Sequence, residues 1–452
     1  MKLKMYPVLS KEFSLSKVIT EEGDNTVIYN TTTKAKAHPN SATYEFAKRC
    51  RGDKPLHEII ADLSRMSGEK PEEIRKSLQG LIKTMEDNNM LSFMSAPLHP
   101  PRFQPGEPEL FRRITSIIFE ITNRCNLRCK HCYNDSGAKR NNELTFEEIR
   151  DLIDNFADIG VLNIVLSGGE PLMYPHFLDI VEQIRSKPMS CIVFTNGTLI
   201  TKKIVQKFKE LGILSVATSI DGATPETNDS FRGVPGSFEK TVKAIEMLKE
   251  AEIPVRVNIS LHKGNLNEFS GVLAFLKKWE ITDYSISPIS YTGRAKELDS
   301  VITPEEYKKV VEQLKEYETA EKIKNEFPYI PQLTNCGAGR NSLTIRSNGS
   351  VVPCPPFPDE ASLGSIREDS ISNIWNNSEF LDKIRRVNIS ENKMCRECTH
   401  IKVCQGGCMA NNYRNTGDLG RGDPYECAYF EVYNDYTLVE VKGQRQLSVE
   451  IR

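Results

Sequence analysis

Ten of the twelve cysteines in this 452-residue chain fall into two sets, and that division restricts what the chain can fold around. Three stand at CxxxCxxC spacing in Cys125-Asn126-Leu127-Arg128-Cys129-Lys130-His131-Cys132, directly after the apolar run Ser116 to Thr122. Seven more run from Cys336 to Cys427, while Cys50 and Cys191 stand alone. A [4Fe–4S] cube takes four thiolates, so three from one tight loop leave one iron free for another ligand. Zinc is the alternative, but it usually takes four ligands arranged as two pairs. No second pair lies beside the triplet, though His131 could serve. Disulfide scaffolds are usually short secreted chains. Here Met1-Lys2-Leu3-Lys4-Met5-Tyr6-Pro7 is not followed by an apolar signal core, so a cytoplasmic protein using its thiols for metal or redox chemistry is expected.

The formal net charge is −2, which leaves no electrostatic footprint for nucleic acid. No apolar run reaches the length of about 18 residues that a membrane span needs. The chain is long enough for two or three domains, and its composition shifts suggest where they divide. Residues 1–95 read as a small separate domain. Thr26 to Tyr29 is strand-like, with a second extended stretch around Ala35 to Ala37. Three helical patterns follow, the last running from Pro71 with Ile74, Leu78, Leu81, Ile82 and Met85 on one face. Residues 96–112, carrying Pro97, Pro100, Pro101, Pro105 and Pro108, read as a semi-rigid linker.

Residues 113–325 alternate strands with helices. Strand-like runs are Ser116–Thr122, Asn163–Leu166, Cys191–Thr195, Ser215–Ile220, Val255–Leu261 and Tyr284–Ile289. Thr145 and Glu148 form a capping box ahead of Ile149, Leu152, Ile153 and Phe156. Six βα units predict a parallel sheet with helices outside, short of the eight in a closed barrel. The fold class is therefore α/β, an open partial barrel, and function in such sheets sits at the C-terminal strand ends. Notable segments fall there: Gly168-Gly169-Glu170-Pro171 after strand two, Thr195-Asn196-Gly197 after strand three, Ser219-Ile220-Asp221-Gly222 at the end of strand four, and Tyr291 to Ala295 after strand six. The remaining residues, 326–452, hold the second cysteine set in the pattern C…GxxxxC…CxxCxxxxxCxxxC…C.

The triplet, the GGEP segment and the second set together resemble the radical S-adenosylmethionine (SAM) enzymes that carry a C-terminal SPASM extension, over roughly residues 113–430. The N-terminal domain resembles the winged-helix element that recognises leader peptides in enzymes modifying ribosomally made peptides. Within that class the chain looks most like the sactisynthase group. The resemblance implies a radical-SAM partial (β/α)6 barrel, SAM and three [4Fe–4S] clusters. Cys125, Cys129 and Cys132 would hold the first cluster, whose open iron takes SAM. Cys395, Cys398, Cys404 and Cys427 would hold an outer auxiliary cluster. Cys336, Cys354 and Cys408 would hold an inner one, a thiol short of four, with Cys191 and Cys50 as remaining candidates or an open iron suited to a substrate thiolate. Gly168, Gly169 and Glu170 would receive the SAM amino group, and Ser219 the ribose, while Asp221 either assists or caps a turn. Asn196 joins the cofactor-binding set. Arg232, in Asn228-Asp229-Ser230-Phe231-Arg232-Gly233, would either hold the SAM carboxylate or bind a helix end. Tyr133 would lie near adenine or pack on the surface. Asn228 replaces the family's usual histidine. No general base is evident, so no catalytic side chain is assigned.

The implied activity is thioether crosslinking of a Cys-rich precursor peptide, bound through its leader, with an external one-electron reductant and neither nucleic acid nor membrane as partner. Other SPASM peptide modifications, or a non-catalytic iron–sulfur redox protein, are the alternatives.

Overall fold

A computed structural model describes residues 2–10, 13–20, 23–30, 36–37, 39–97, 114–140, 142–321, 336–433, 440–441 and 444–445. At its centre six strands lie side by side in chain order, all parallel: β1 (Ser116–Glu120), β2 (Asn163–Ser167), β3 (Ser190–Phe194), β4 (Ser215–Ser219), β5 (Val255–Leu261) and β6 (Tyr284–Pro288). Parallel neighbours require a crossover. Helices α1 (Phe146–Asp158), α2 (Phe177–Ser186), α3 (Lys202–Leu211), α4 (Pro225–Arg232), α5 (Ser237–Glu250) and α6 (Phe269–Lys278) supply it. The sheet has two free ends in the strand order and does not close, so the barrel is partial, as the count of six units leads one to expect.

The packing follows from the residue pattern. Ile117, Phe119, Ile164, Leu166, Cys191 and Val193 point into one core with Ile149, Ile153 and Phe156 of α1. Phe119 and Phe156 meet edge to face at 5.7 Å, and fully burying each such side chain contributes about 1.5–3 kcal/mol. The Thr145 capping box is present: its Oγ1 accepts from Glu148 N at 3.2 Å while its own N–H donates to the Glu148 carboxylate at 2.7 Å.

The other edge of the sheet departs from the sequence reading. The cysteine-rich segment, read as a domain of its own, contributes a seventh parallel strand, β7 (Ser342–Ile345), paired with β1 from Ser342↔Ser116 to Ile345↔Phe119. β8 (Ser350–Val352) and β9 (Gly364–Ser365) extend it antiparallel. Four residues between Cys336 and the Gly349 turn are too few to show a strand period, and only the exposed edge of β1 reveals why they extend. Arg367, just past β9, closes this join by donating to both Glu148 carboxylate oxygens at 2.6 and 2.8 Å.

In the N-terminal region Tyr6–Leu9 pairs antiparallel with Leu91–Met94 around helices Ser41–Arg49, Leu56–Ser67 and Pro71–Asp87. Their core, including Leu9, Phe46, Leu56, Ile59 and Ile82, is a separate apolar cluster. Phe13–Thr20, Gly23–Asn30 and Lys36–Ala37 form a second, three-stranded sheet. Most of the proline-rich linker lies outside the described residues.

Candidate metal and cofactor site

The cysteine loop leaves the C-terminal end of β1 and is fixed through its backbone. Cys125 N donates to Gly137 O at 3.0 Å, Arg128 N to Arg232 O at 3.1 Å and Lys130 N to Phe231 O at 2.9 Å. From beyond β6, Arg294 N donates to Cys132 O at 3.1 Å and its Nε to Cys129 O at 2.8 Å. Two glycines permit this crowding. A Cβ on Gly169 would stand 2.3 Å from Arg124 O, and one on Gly293, at φ +54°, 2.1 Å from Cys132 O. The family resemblance gives Gly168 and Gly169, with Glu170, to the SAM amino group. What they meet in the fold is the backbone of Thr122, Asn123 and Arg124, with Gly169 N bonded to Thr122 O at 2.7 Å and Glu170 N to Arg124 O at 2.8 Å.

N–H donors approach two of the three sulfurs. Leu127 N lies 3.4 Å from Cys125 Sγ, Ser136 N 3.3 Å from Cys132 Sγ, and Asn196 Nδ2 3.9 Å from Cys125 Sγ. Burial pushes the Cys129 thiol up to about 11, with Arg232 opposing and Asp221, Cys132 and Cys125 adding to the rise. A cationic metal centre would offset that rise by deprotonating the thiol outright. Among the described residues no three His, Cys, Asp or Glu side chains gather tightly enough to share a single ion. A cube takes each thiolate on a different iron, and three thiols on one loop with backbone amides at two of them fit that group.

Around the loop, Glu170 is fully buried and accepts from Thr195 Oγ1 at 2.7 Å, Asn196 N at 2.8 Å and Leu172 N at 3.1 Å. Asn196 donates to Asn126 Oδ1 at 2.9 Å, tying the ends of β2 and β3 to the cysteine loop. Ser219 ends β4 opposite Asn258 of β5. Tyr133 turns its hydroxyl into the barrel, onto Glu120 Oε1 at 2.7 Å. Arg232 lies 2.7 Å from the buried Asp221 carboxylate, while its Nε has no hydrogen-bond partner among the described residues. Asp221, just past β4, thus joins β5 and α4: its Oδ1 accepts from Ser260 N at 2.9 Å and its own N–H donates to Asn228 Oδ1 at 3.0 Å. Burial would raise the Asp221 carboxyl, but the Arg232 and His131 charges hold it below the usual carboxylate range. Asn228, in the position where a histidine was expected, is 1 % exposed and bonds Asp229 and Ser237 as well.

Some residues that shape the site were not picked out from sequence. Glu120 is 0 % exposed, holds Tyr133 and Asn134, and is pushed up by burial against the Arg346 and Arg140 charges. Glu143 receives Thr122 Oγ1 at 3.0 Å and Asn123 N at 2.6 Å. His131 and His262 stack on Phe231, at 4.6 and 3.6 Å between ring centroids. A carboxylate inside the apolar run Ser116-Ile117-Ile118-Phe119-Glu120-Ile121 was the available signal for Glu120. Glu143 and His262 carry none.

Burial lifts the Glu170 carboxyl to about 7, against the hydrogen bonds from Thr195, Asn196 and Leu172. An ammonium group binds the ionised form. If Glu170 receives the SAM amino group, SAM affinity rises with pH through about 7, and Glu170→Gln flattens that rise while lowering affinity at pH 8 by about tenfold or more. Calorimetric titration of the anaerobic protein across pH 6–8.5 checks this; a wild-type affinity independent of pH contradicts the role.

In the C-terminal segment Cys336, Cys354, Cys395, Cys398, Cys404 and Cys408 are half-buried and Cys427 is exposed. The sequence reading assigns Cys336, Cys354 and Cys408 to an inner set and the other four to an outer one. A backbone amide bonds a sulfur here too: His400 N lies 3.4 Å from Cys398 Sγ. The two leftover cysteines lie elsewhere. Cys191 is 0 % exposed within the sheet core, and Cys50 is 0 % exposed in the N-terminal core with its thiol on Phe46 O at 3.3 Å.

An open parallel α/β barrel with a three-cysteine loop at the end of its first strand defines a class. The sequence matches the radical SAM superfamily over residues 119–276 and the SPASM iron–sulfur cluster-binding domain over residues 336–399. It is 34% identical over 340 residues to an AdoMet-dependent heme synthase of Methanosarcina barkeri, covering 69% of this chain and 96% of that one. The chain belongs to the radical SAM superfamily, in its SPASM-bearing branch, with SAM and [4Fe–4S] iron–sulfur clusters as cofactors. It is 30% identical over 380 residues to the antilisterial bacteriocin subtilosin biosynthesis protein AlbA of Bacillus subtilis, covering 82% and 83% of the two chains. Its fold superimposes on Streptococcus suis SuiB bound to its precursor peptide SuiA with TM-score 0.66 at 15% identity, covering 93% of this chain and 99% of that one. No helix among the described residues is long and apolar enough to cross a membrane.

Proposed function

We propose that this enzyme forms thioether crosslinks between Cys sulfurs and carbons of acceptor residues in a Cys-rich, ribosomally made precursor peptide. The observation that carries this reading is the ligand count at the inner set. Cys336, Cys354 and Cys408 have no fourth cysteine to join them, because Cys191 and Cys50 are locked in apolar cores. A cube there keeps one iron open, and a soft substrate thiolate suits it. When bound, the first cluster and SAM supply the radical chemistry that takes a hydrogen atom from the substrate. The chain's own part is to hold and to exclude. Cys125, Cys129 and Cys132 are the proposed ligands of the first cluster, and Cys395, Cys398, Cys404 and Cys427 those of the outer one. Glu170, with Gly168 and Gly169, is the proposed seat of the SAM ammonium, Ser219 of the ribose and Tyr133 of the adenine side. Asn196 keeps the β3 loop on Cys125. Arg232, neutralised by Asp221, leaves its Nε as the donor to the SAM carboxylate. A thiol bound at the inner set loses its proton on binding, so no separate base is needed.

Peptide processing is favoured over porphyrin chemistry by coverage. The AlbA match takes in 82% of the chain and the heme synthase match 69%, while the SuiB superposition extends to 93%. The N-terminal domain is the proposed leader-binding element, taking the peptide as an added strand. Deleting residues 1–95 is expected to weaken precursor binding by at least about a hundredfold, roughly the 2.7 kcal/mol of a few lost strand hydrogen bonds. Peptide-independent SAM cleavage should persist. Fluorescence anisotropy with labelled leader measures the first, and equal binding by the truncated and intact proteins sinks the assignment.

The inner-set reading is tested by spectroscopy. Adding a Cys-containing precursor should perturb the inner cluster's electron paramagnetic resonance signal, and the Cys→Ser precursor should not. Cys191→Ala should leave iron content and signal unchanged. A signal indifferent to the precursor, with four protein ligands at the inner cluster, contradicts direct thiolate ligation.

A further inference from the structure

Glu120 and Arg346 occupy neighbouring positions on the two paired strands from which the cysteine loops depart. The register of β7 on β1 runs to Ile345↔Phe119, and Arg346 and Glu120 come one residue later on each strand. Paired strands lie about 4.8 Å apart, so the two side chains start side by side. Ile117, Phe119, Leu343 and Ile345 belong to the core beneath the helices. Alternation turns Glu120 and Arg346 to the opposite face, the barrel interior. Glu120 is 0 % exposed and Arg346 6 %.

Each of them holds a different cysteine loop. Glu120 Oε1 accepts from Tyr133 Oη at 2.7 Å and its Oε2 from Asn134 Nδ2 at 3.0 Å. These are the two residues directly after Cys132. Both Glu120 oxygens accept, as those of an ionised carboxylate do. Arg140 supports this side by donating Nη2 to Asn134 Oδ1 at 3.2 Å. Arg346 donates Nη2 to Phe357 O at 2.8 Å and pairs through Nη1 with Asp359. Phe357 N in turn donates to Cys354 O at 3.1 Å, closing the turn that carries Cys354. The Asp359 side chain is 79 % exposed, so solvent screens its charge, and the buried carboxylate beside Arg346 is that of Glu120. A buried charge that loses its counter-charge is strongly destabilising. The two residues therefore stay together, and what each holds is kept in step with what the other holds.

We propose that Glu120 and Arg346 are positioning residues that fix the Cys354 turn against the Cys132 loop, so that the first and inner sets meet one segment of substrate. The second clause rests on the thioether reading, in which the carbon that loses hydrogen at the first set must lie within bonding reach of a sulfur held at the inner one.

The test compares the reconstituted full chain with its Arg346→Met variant in two readouts. The first is thioether formed per 5′-deoxyadenosine released. A misplacement of about 1 Å costs up to roughly a hundredfold in rate, so this ratio should fall by about tenfold or more. The second readout does not depend on turnover. It is pulsed dipolar electron paramagnetic resonance between the reduced first and inner clusters, in a background where Cys395→Ala and Cys398→Ala remove the outer one. The distance distribution should be narrow with Arg346 and broad with Met. Arg346→Lys, which keeps the charge without the planar fork, should recover part of both effects. Glu120→Gln should broaden the distribution as Arg346→Met does. A distribution that stays narrow in Arg346→Met overturns the proposal, and so does a broadened one with an unchanged ratio. If Arg346→Met does not hold its clusters, Glu120→Gln decides by the same measure, a narrow distribution overturning the proposal. An unaltered chain that forms no thioether, with the distributions behaving as expected, would sink the thioether reading alone.

Discussion

Changing Cys125, Cys129 and Cys132 together to Ala is expected to abolish SAM cleavage while the protein stays folded and keeps its auxiliary clusters. Iron should fall by roughly four atoms from about twelve, the content of three cubes. The expectation is this selective because the triplet is held by backbone bonds, not by its sulfurs. Cys125 N, Arg128 N and Lys130 N donate to Gly137, Arg232 and Phe231, and Cys132 O accepts from Arg294. Removing the thiols leaves that scaffold in place. The seven cysteines of the C-terminal segment begin more than two hundred residues further along the chain. Anaerobic iron analysis and chromatographic assay of 5′-deoxyadenosine measure the two effects; continued 5′-deoxyadenosine production by the variant contradicts the assignment of the first cluster.

Gly293→Val should have nearly the same consequence from outside the triplet. A Cβ there would stand 2.1 Å from Cys132 O and 2.5 Å from Tyr133 O, both backbone atoms that cannot swing aside. Overpacking of this kind costs about 1–3 kcal/mol or more, and a β-branched residue in the left-handed region adds strain. The loop that must present three thiols together is what yields, so about four iron atoms per chain should be lost or become labile to chelator. Gly293→Asn separates the two causes. Asparagine tolerates the left-handed backbone but brings the same Cβ, so it should fail as well. Full iron retention in the Asn variant would show that conformation and not space is the requirement at 293.

The parts of the fold visible in the sequence were those written in local pattern. Six strand-like runs separated by amphipathic helices are enough to give a partial barrel, and the Thr145 capping box announces α1 by itself. β7 was not visible because Ser342-Leu343-Thr344-Ile345 has meaning only beside β1, over two hundred residues earlier. At the site, the cysteine sets could be read as spacing, since ligands from one loop must be close in sequence. The charges around them could not. Asp221 meets Arg232 and Ser260 because the end of β4, strand β5 and helix α4 converge, and Arg346 faces Glu120 because the C-terminal segment joins the sheet. Glycines 168 and 169 were legible as necessary but not for their reason, because sequence shows a tight turn without showing that another backbone fills the space. The count of three inner cysteines was plain throughout. That Cys191 could not be the fourth needed the core around it, where Ile164 faces it across the sheet.

The most direct test is chemical. The reconstituted enzyme, SAM, an anaerobic reductant and a Cys-rich precursor from a neighbouring reading frame are combined, and the peptide is weighed and fragmented. The expected product has lost two hydrogen atoms per crosslink, has lost one alkylatable thiol for each, and breaks so as to place the bridge between a Cys sulfur and a carbon of another residue. The Cys→Ser precursor should emerge without that bridge although SAM is still consumed. A peptide recovered with every thiol free while 5′-deoxyadenosine accumulates, or the same modification on the Ser peptide, would contradict thioether formation.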